Sequence, residues 1–257
     1  MSTEGASGGK VPSGLWPEGY DLVVLDEVDS TMAEARRRAA AIERPTWIMA
    51  HRQSDAKGRR GRTWLGGDGN LAATLVFRPG CTPAMAASRS FMAATALLES
   101  LALFIDRDNL AVKWPNDVLL SGGKVAGILL ESATVGRFVD WLSVGVGVNL
   151  AKAPDNYASE FKPVCLRGEG GEDVAPEDFL RVLAGHFATQ EAKLEAMGFA
   201  RIREDWLSNA ARLGEVITAR TARGEITGVF HTVDPLGNLV LMVEGREVLI
   251  PAADVYF

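Results

Sequence analysis

Four cations are interleaved with glycines in one short stretch, Lys57-Gly58-Arg59-Arg60-Gly61-Arg62, entered through Gln53, Ser54 and Asp55 and left through Thr63 and Trp64. Glycine lets backbone N–H groups come close to an anion, and a guanidinium offers a planar fork that grips two oxygens of a phosphate or carboxylate at once. A solvated basic loop seldom needs glycines inside the run, so the stretch reads as a polyphosphate-binding loop rather than a small nucleic-acid patch. Further on, Lys113-Trp114-Pro115-Asn116-Asp117 places an amide and a carboxylate at one strand end, with the proline holding the tryptophan extended. Such groups suit an adenine edge, a lysine or Mg2+; a turn around a packed tryptophan fits the composition equally well. Lys124 opens an otherwise apolar run, so its ammonium lies at the margin of the core, either beside a phosphate or acyl oxygen or as a plain solvated strand end. Gly145 and Gly147 alternate with valines just before Asn149, which marks either a ligand lying against the backbone or tight strand packing.

Other chemistries are poorly served. His51, His186 and His231 are scattered with no serine or cysteine elbow near them, so no hydrolase triad and no histidine metal site is expected. Cys81 and Cys165 are too few for a disulfide framework and lack metal-ligand spacing, which suits a reducing cytoplasm. A net charge of -6 argues against a broad nucleic-acid surface, because such binding needs a basic field to displace counterions. With 47% hydrophobic and 23% charged residues the chain is globular in composition, and no apolar run approaches the ~20 residues of a membrane helix.

These groups need a scaffold. The run 21–26 reads as a buried strand leading into Asp29-Ser30-Thr31, a turn and helix cap. Met32, Ala35, Ala39 and Ile42 then recur at helical spacing until Pro45 forces the chain extended through 46–50. A buried strand over 70–77 precedes one long Ala- and Leu-rich helix over about 83–105. Strands over 110–114, 124–131 and 138–148 follow in close order and predict a meandering sheet. After a Gly- and Glu-rich loop over 166–174, helices are expected over about 176–197 and 200–209, with Pro176 in the first turn. From Leu213 the pattern changes to short β runs broken at Arg223-Gly224, 235–238 and Glu244-Gly245, the mark of a small antiparallel barrel. The chain thus divides into a disordered tail over 1–16, a main domain over 17–210 and a small β-barrel domain over 211–257.

Taken in order, Asp29-Ser30-Thr31, the arginine loop with Trp64, the segment 113–117, the run 124–131 and the segment 145–149 resemble the bacterial biotin protein ligase family. The resemblance spans about 21–257, and five spaced segments together are far more specific than any one alone. It implies an α+β fold: a mixed, mostly antiparallel sheet with flanking helices, the biotin/lipoate ligase-like catalytic domain, followed by an SH3-like β-barrel. It also implies a cytoplasmic, ATP-dependent, AMP-forming ligase using ATP, biotin and Mg2+. Such an enzyme makes biotinyl-5'-AMP and transfers biotin to a lysine of the biotin carboxyl carrier domain of a carboxylase.

Carried over by position, the resemblance makes Lys124, Arg59 and Asp117 catalytic, with Asp117 also an indirect partner of Mg2+. It assigns Ser30, Thr31, Met32, Gln53, Lys57, Gly58, Arg59, Lys124 and Gly127 to biotin, and Arg60, Arg62, Trp64, Asn116 and Asn149 to the nucleotide. Arg59 and Arg60 would hold phosphate and carbonyl oxygens, and Trp64 would pack on adenine. Two departures stand out: Ala56-Lys57 where the family usually has Gly-Arg, and Met32 where it often has Asn. Lysine cannot reproduce a bidentate guanidinium contact. Repressor members carry an N-terminal helix-turn-helix domain, but only residues 1–20 precede the first strand here, so no DNA binding is expected. An exposed sheet edge would suit a homodimer or a carrier encounter. The rival readings are a lipoate or octanoate ligase on the same fold and a catalytically silent nucleotide- or acyl-carrier-binding module.

Overall fold

The computed structural model describes residues 16–155 and 161–257. Apart from Trp16, the tail expected over 1–16 lies outside these. The larger sheet contains β1 (Asp21–Val28), β2 (Thr46–Gln53), β3 (Leu71–Phe77), β4 (Leu110–Lys113), β5 (Asp117–Leu120), β6 (Gly123–Val135) and β7 (Phe138–Val148), in the order β1-β2-β3-β7-β6-β5-β4. Helix α1 (Thr31–Arg38) carries the chain back across the sheet, so β1 and β2 run parallel. The other neighbours are antiparallel. The sheet is therefore mixed and mostly antiparallel.

Strand alternation decides what each face holds. Trp47 and Met49 of β2 point into the main core, where α3 (Arg89–Leu101) packs against α4 (Pro176–Leu207). Ile48, between them, joins Val76, Ala35 of α1 and the helix's C-cap residue Ala39 in a smaller cluster on the opposite face. With both faces covered, residues 46–50 of β2 and nearly all of β3 are buried.

Two elements differ from their sequence readings and one agrees in an instructive way. The single helix expected over 83–105 is α2 (Pro83–Ala87) followed by α3, with Ser88 at the join donating from Oγ to the Met85 carbonyl at 2.6 Å. Helix α4 merges two helical stretches that meet at Gly198, whose φ of 72° and ψ of 179° are outside helical space, matching the two helices expected there. Strand β5 had no counterpart in the sequence reading; its four residues lie between the cis Trp114–Pro115 peptide and a turn at Ser121 and Gly122 with positive φ.

The smaller sheet holds β8 (Val216–Thr221), β9 (Gly224–Val233), β10 (Leu239–Val243), β11 (Arg246–Ile250) and β12 (Asp254–Tyr256), all antiparallel, in the order β11-β10-β9-β8-β12. This is the expected small SH3-like antiparallel domain, in which, among the described residues, β11 and β12 are the unpaired edges. Strand β12 is only three residues long, is paired along β8, and its Asp254 is tied to the larger domain. Ala211 N donates to the Val112 carbonyl at 2.8 Å, and Trp114 Nε1 donates to the Gly237 carbonyl at 3.0 Å. Those contacts set β12 against the open side of the larger sheet.

Candidate active site

A cavity of about 610 Å3 lies between the start of α1, the segment 53–65, the β6–β7 pair and β12. That is the size range of small-ligand sites. Its floor follows from strand periodicity. Val144, Val146 and Val148 of β7 face the main core, which turns Gly145 and Gly147 toward the cavity. Gly127 of β6 pairs directly with Gly147, and Leu129 with Gly145, so the floor is largely bare backbone. The Trp64 ring rests on it: a Cβ at Gly147 would come within 2.4 Å of the indole, and one at Gly127 within 3.1 Å. A Cβ at Gly145 would meet Met32 Sδ at 2.6 Å, so the thioether fills the space this glycine leaves. These glycines are therefore sites of close approach, which the sequence could not separate from tight strand packing.

One end of the cavity is neutral and polar. Ser30 caps α1, its Oγ accepting from Ala33 N at 3.1 Å, and Asp29 Oδ1 accepts from Ser30 N at 2.7 Å. The Gln53 side-chain oxygen, from the end of β2, accepts from both Thr31 N at 2.8 Å and Thr31 Oγ1 at 3.2 Å. Behind them the buried Thr74 hydroxyl donates to Thr31 Oγ1 at 2.8 Å. This chain fixes Thr31 and Gln53 and leaves the Gln53 amide nitrogen as the donor for a ligand. Thr74 had no sequence signal, since a threonine inside an apolar strand run is ordinary.

The other end is charged. Lys113 and Asp117 are cross-strand partners on β4 and β5, and Asp117 pairs with Gly127 on the next strand. Asp117 Oδ1 lies 2.5 Å from Lys124 Nζ, and its Oδ2 lies 3.6 Å from Lys113 Nζ. Burial alone would raise the Asp117 carboxyl, but Lys124 and Lys113 outweigh it and hold the group below the usual carboxylate range. Burial pushes the Lys113 ammonium down, with Asp117 opposing, and its Nζ also lies 4.3 Å from the centre of the Phe161 ring. Lys124 Nζ lies 5.5 Å from the centre of the Trp64 ring. The role of Lys113 went unassigned in the sequence because a buried cation is recognised only by what surrounds it.

Arg59 links the loop to this end. Its Nη1 donates to Asn116 Oδ1 at 3.2 Å, while Asn116 Nδ2 donates to the Ile128 carbonyl at 2.6 Å. Both ends of Asn116 are thus committed to protein groups. Burial pushes the Arg59 guanidinium down from its usual value, with the charges of Asp254 and Asp117 opposing. Asn149 donates from Nδ2 to the Val164 carbonyl at 3.1 Å, but its buried Oδ1 has no hydrogen-bond partner among the described residues. An unsatisfied buried acceptor costs about 1 to 3 kcal/mol, so it is poised for a ligand donor.

Of the residues singled out from the sequence, the cavity wall contains Ser30, Thr31, Met32, Gln53, Lys57, Gly58, Arg59, Arg62, Trp64, Asn116, Asp117, Lys124, Gly127 and Asn149. Arg60 is not part of it. Its backbone sits at φ 57°, and its Nη1 donates to Asp254 Oδ2 at 2.6 Å, with Arg62 Nη2 on that same oxygen. Lys57 pairs locally with Asp55. Asp117 does not fit a directly bound Mg2+, since two ammonium groups flank its carboxylate, and among the described residues no group of three or more His, Cys, Asp or Glu could hold a metal. Neutral polar groups at one end and cations at the other, across a glycine floor lined by the Trp64 ring and the Met32 thioether, suit a ligand with a polar head, an apolar middle and an anionic reacting end.

Comparison with known proteins agrees. Residues 24–149 match the Biotin/lipoate A/B protein ligase family. Over 238 residues, 91% of this chain and 99% of the relative, the sequence is 49% identical to a biotin--[acetyl-CoA-carboxylase] ligase of Paracoccus denitrificans. A ligase of the same description from Mycobacterium tuberculosis is 29% identical over 247 residues, 91% of this chain and 88% of its own length. Among solved structures, a biotin protein ligase from Aquifex aeolicus in complex with biotin and ATP superposes with a TM-score of 0.77 at 24% identity. That likeness of fold covers 91% of this chain and 98% of the other.

Proposed function

The chain belongs to the biotin protein ligase family, and we propose that its cavity condenses biotin with ATP to biotinyl-5'-AMP and passes the biotinyl group to a lysine of a biotin carboxyl carrier domain. The observation that carries this reading is the convergence of the Thr31–Gln53 hydrogen-bond chain and the Lys113–Asp117–Lys124 cluster on one glycine floor. Biotin asks for both ends. Its ureido ring needs donors and acceptors held in fixed positions, which Ser30, Thr31 and Gln53 supply. Its carboxylate has to meet a second anion, the α-phosphate.

In the first step a biotin carboxylate oxygen attacks the α-phosphorus and pyrophosphate leaves. The Lys124 ammonium and the Arg59 guanidinium, held by Asp117 and Asn116 respectively, offset the repulsion between the anions and bear the charge that develops. No protein nucleophile is needed. In the second step the carrier's lysine amine attacks the mixed-anhydride carbonyl and AMP leaves. Asp117 orients Lys124 rather than acting as a base, because two ammonium neighbours make its carboxylate a poor proton acceptor. Asn149 Oδ1 is the natural acceptor for a ribose hydroxyl or adenine amino group, and the Trp64 ring offers a face for the base.

Mg2+ enters with the triphosphate as part of the substrate. The reaction belongs in the cytoplasm, where ATP and unmodified carriers are found; Cys81 and Cys165 are free thiols, and no helix among the described residues is long and apolar enough to cross a membrane. The net charge of -6 offers no broad basic field for duplex DNA, which favours a ligase without a repressor role. A lipoate or octanoate ligase would have no use for the Thr31–Gln53 end, since neither acid carries a hydrogen-bonding ring.

The test is pyrophosphate release from ATP with biotin, lipoate and octanoate offered separately, followed by transfer to a purified biotin carrier domain. Release with biotin alone, and transfer, is the expected result. Release with lipoate or octanoate instead would move the chain to the sister activity, and none at all would leave a binding module.

A further inference from the structure

We propose that Asp254, on the last strand of the small sheet, is a positioning residue for the activation step: by holding Arg60 and Arg62 it keeps the phosphate loop seated on the cavity. The proposal rests on the biotin-activating reading above and adds to it a residue from the other domain.

The geometry is specific. One carboxylate oxygen receives both guanidinium groups, from residues 192 and 194 positions away in sequence. The Asp254 side chain is only 17% exposed, while the two arginines are about half exposed, so the anion is the fixed member of the cluster and the loop is the part being held. Arg60 adopts a left-handed backbone, which a non-glycine residue seldom does without compensation. The contact with Asp254 supplies that compensation and explains why Arg60 turns away from the cavity wall.

The loop's other ties do not substitute for it. Gly58 N to the Arg62 carbonyl at 2.7 Å, Trp64 N to the Ala56 carbonyl at 3.0 Å and the Lys57–Thr63 bridge close the loop on itself. Lys57 pairs with Asp55 within the same segment. Beyond Trp64 on the floor, Arg59 with Asn116 anchors one side of the loop and Asp254 the other. Asp254 also lines the cavity, and its charge is felt by Arg59 and Lys113. Because one carboxylate serves two guanidiniums, the cluster keeps a net positive charge facing the site.

Isolated exposed ion pairs contribute little to stability, so the readout has to be kinetic. The experiment compares the full-length wild type, Asp254→Asn and Asp254→Glu in biotin-dependent ATP–pyrophosphate exchange and in the rate at which biotinyl-AMP escapes, alongside thermal unfolding. Asp254→Asn should raise KM for ATP and speed escape by roughly fivefold to tenfold, with kcat and Tm little changed. Asp254→Glu should recover part of the loss. Arg62→Gln added to Asp254→Asn should change KM further by less than it does in the wild-type background. Unchanged KM and escape rate would overturn the proposal, and so would a fall in KM, which would make Asp254 a competitor of the phosphates. A matched loss of kcat and Tm would also overturn it, by reducing Asp254 to a structural tie. An inactive wild type would instead sink the underlying biotin-activating reading, so the two failures are distinguishable.

Discussion

At the α1 end of the cavity the polar contacts are neutral hydrogen bonds between groups that secondary structure already fixes: a helix cap, a strand terminus and a threonine in the middle of β3. At the β4–β6 end three charges share a corner in which Lys113 is buried and Asp117 and Lys124 are partly so, and each is defined by the other two. The first arrangement recognises a shape and tolerates the loss of one member, because its remaining hydrogen bonds survive. The second carries the chemistry and does not, because an unpaired charge in a buried site is costly. On the proposed function, recognition and reactivity are thus built separately, at opposite ends of one floor.

That contrast can be broken most sharply at the charged end. Lys124→Ala should lower kcat for adenylate formation by roughly 10² to 10³, the scale of losing one preorganised electrostatic contact. Circular dichroism should show the fold retained, since Lys124 lies at a strand start. Stopped-flow or pyrophosphate-coupled rates near wild type would remove Lys124 from the mechanism. At the neutral end the effect should be smaller and of a different kind. Thr31→Val keeps the shape and deletes one hydroxyl, so KM for biotin should rise roughly 5- to 30-fold, about 1 to 2 kcal/mol, with kcat nearly unchanged. A drop in kcat as large as that of Lys124→Ala would erase the distinction between the ends.

The smallest expected effect concerns pH. The folded-state value of Asp117 lies below its unfolded value, because its two lysines outweigh burial. Its stabilising contribution is therefore fully present above the unfolded value of about 3.9 and is lost as pH falls through the folded one. In urea unfolding, the stability gap between wild type and Asp117→Asn should be constant at mildly acidic pH and narrow below about pH 4. A gap that stays constant down to pH 2 would mean that the fold does not hold the Asp117 carboxyl below its unfolded value.

The catalytic fold and much of the cavity wall were legible because they are written locally. Valine–glycine alternation over 144–148, the cap at Ser30 and the glycine-spaced arginines each announce a geometry within a few residues. What stayed hidden depends on contacts between distant segments. Strand β5 is too short for its period to register, and its existence is decided by pairing with β4 and β6. Lys113 reads as an ordinary strand-end lysine until Asp117 and Phe161 surround it. Arg60 and Arg62 look like equivalent phosphate ligands, yet only Arg62 lines the cavity, and the reason is a carboxylate near the far end of the chain. The pairing within the small SH3-like domain was hidden for a related reason: β12 is spent on β8 and on the loop, and no local pattern foretells that.

The alternation along β7 also separates two kinds of mutational sensitivity within a single strand. Side chains added at Gly145 or Gly147 would press on Met32 or Trp64 rather than on the core, while truncations at Val144 or Val146 would hollow the core beneath an intact floor. A library of variants sorted first for abundance and then for biotin transfer would therefore split residues 144–148 into alternating classes, with the even positions lost in the first sort and the odd ones in the second.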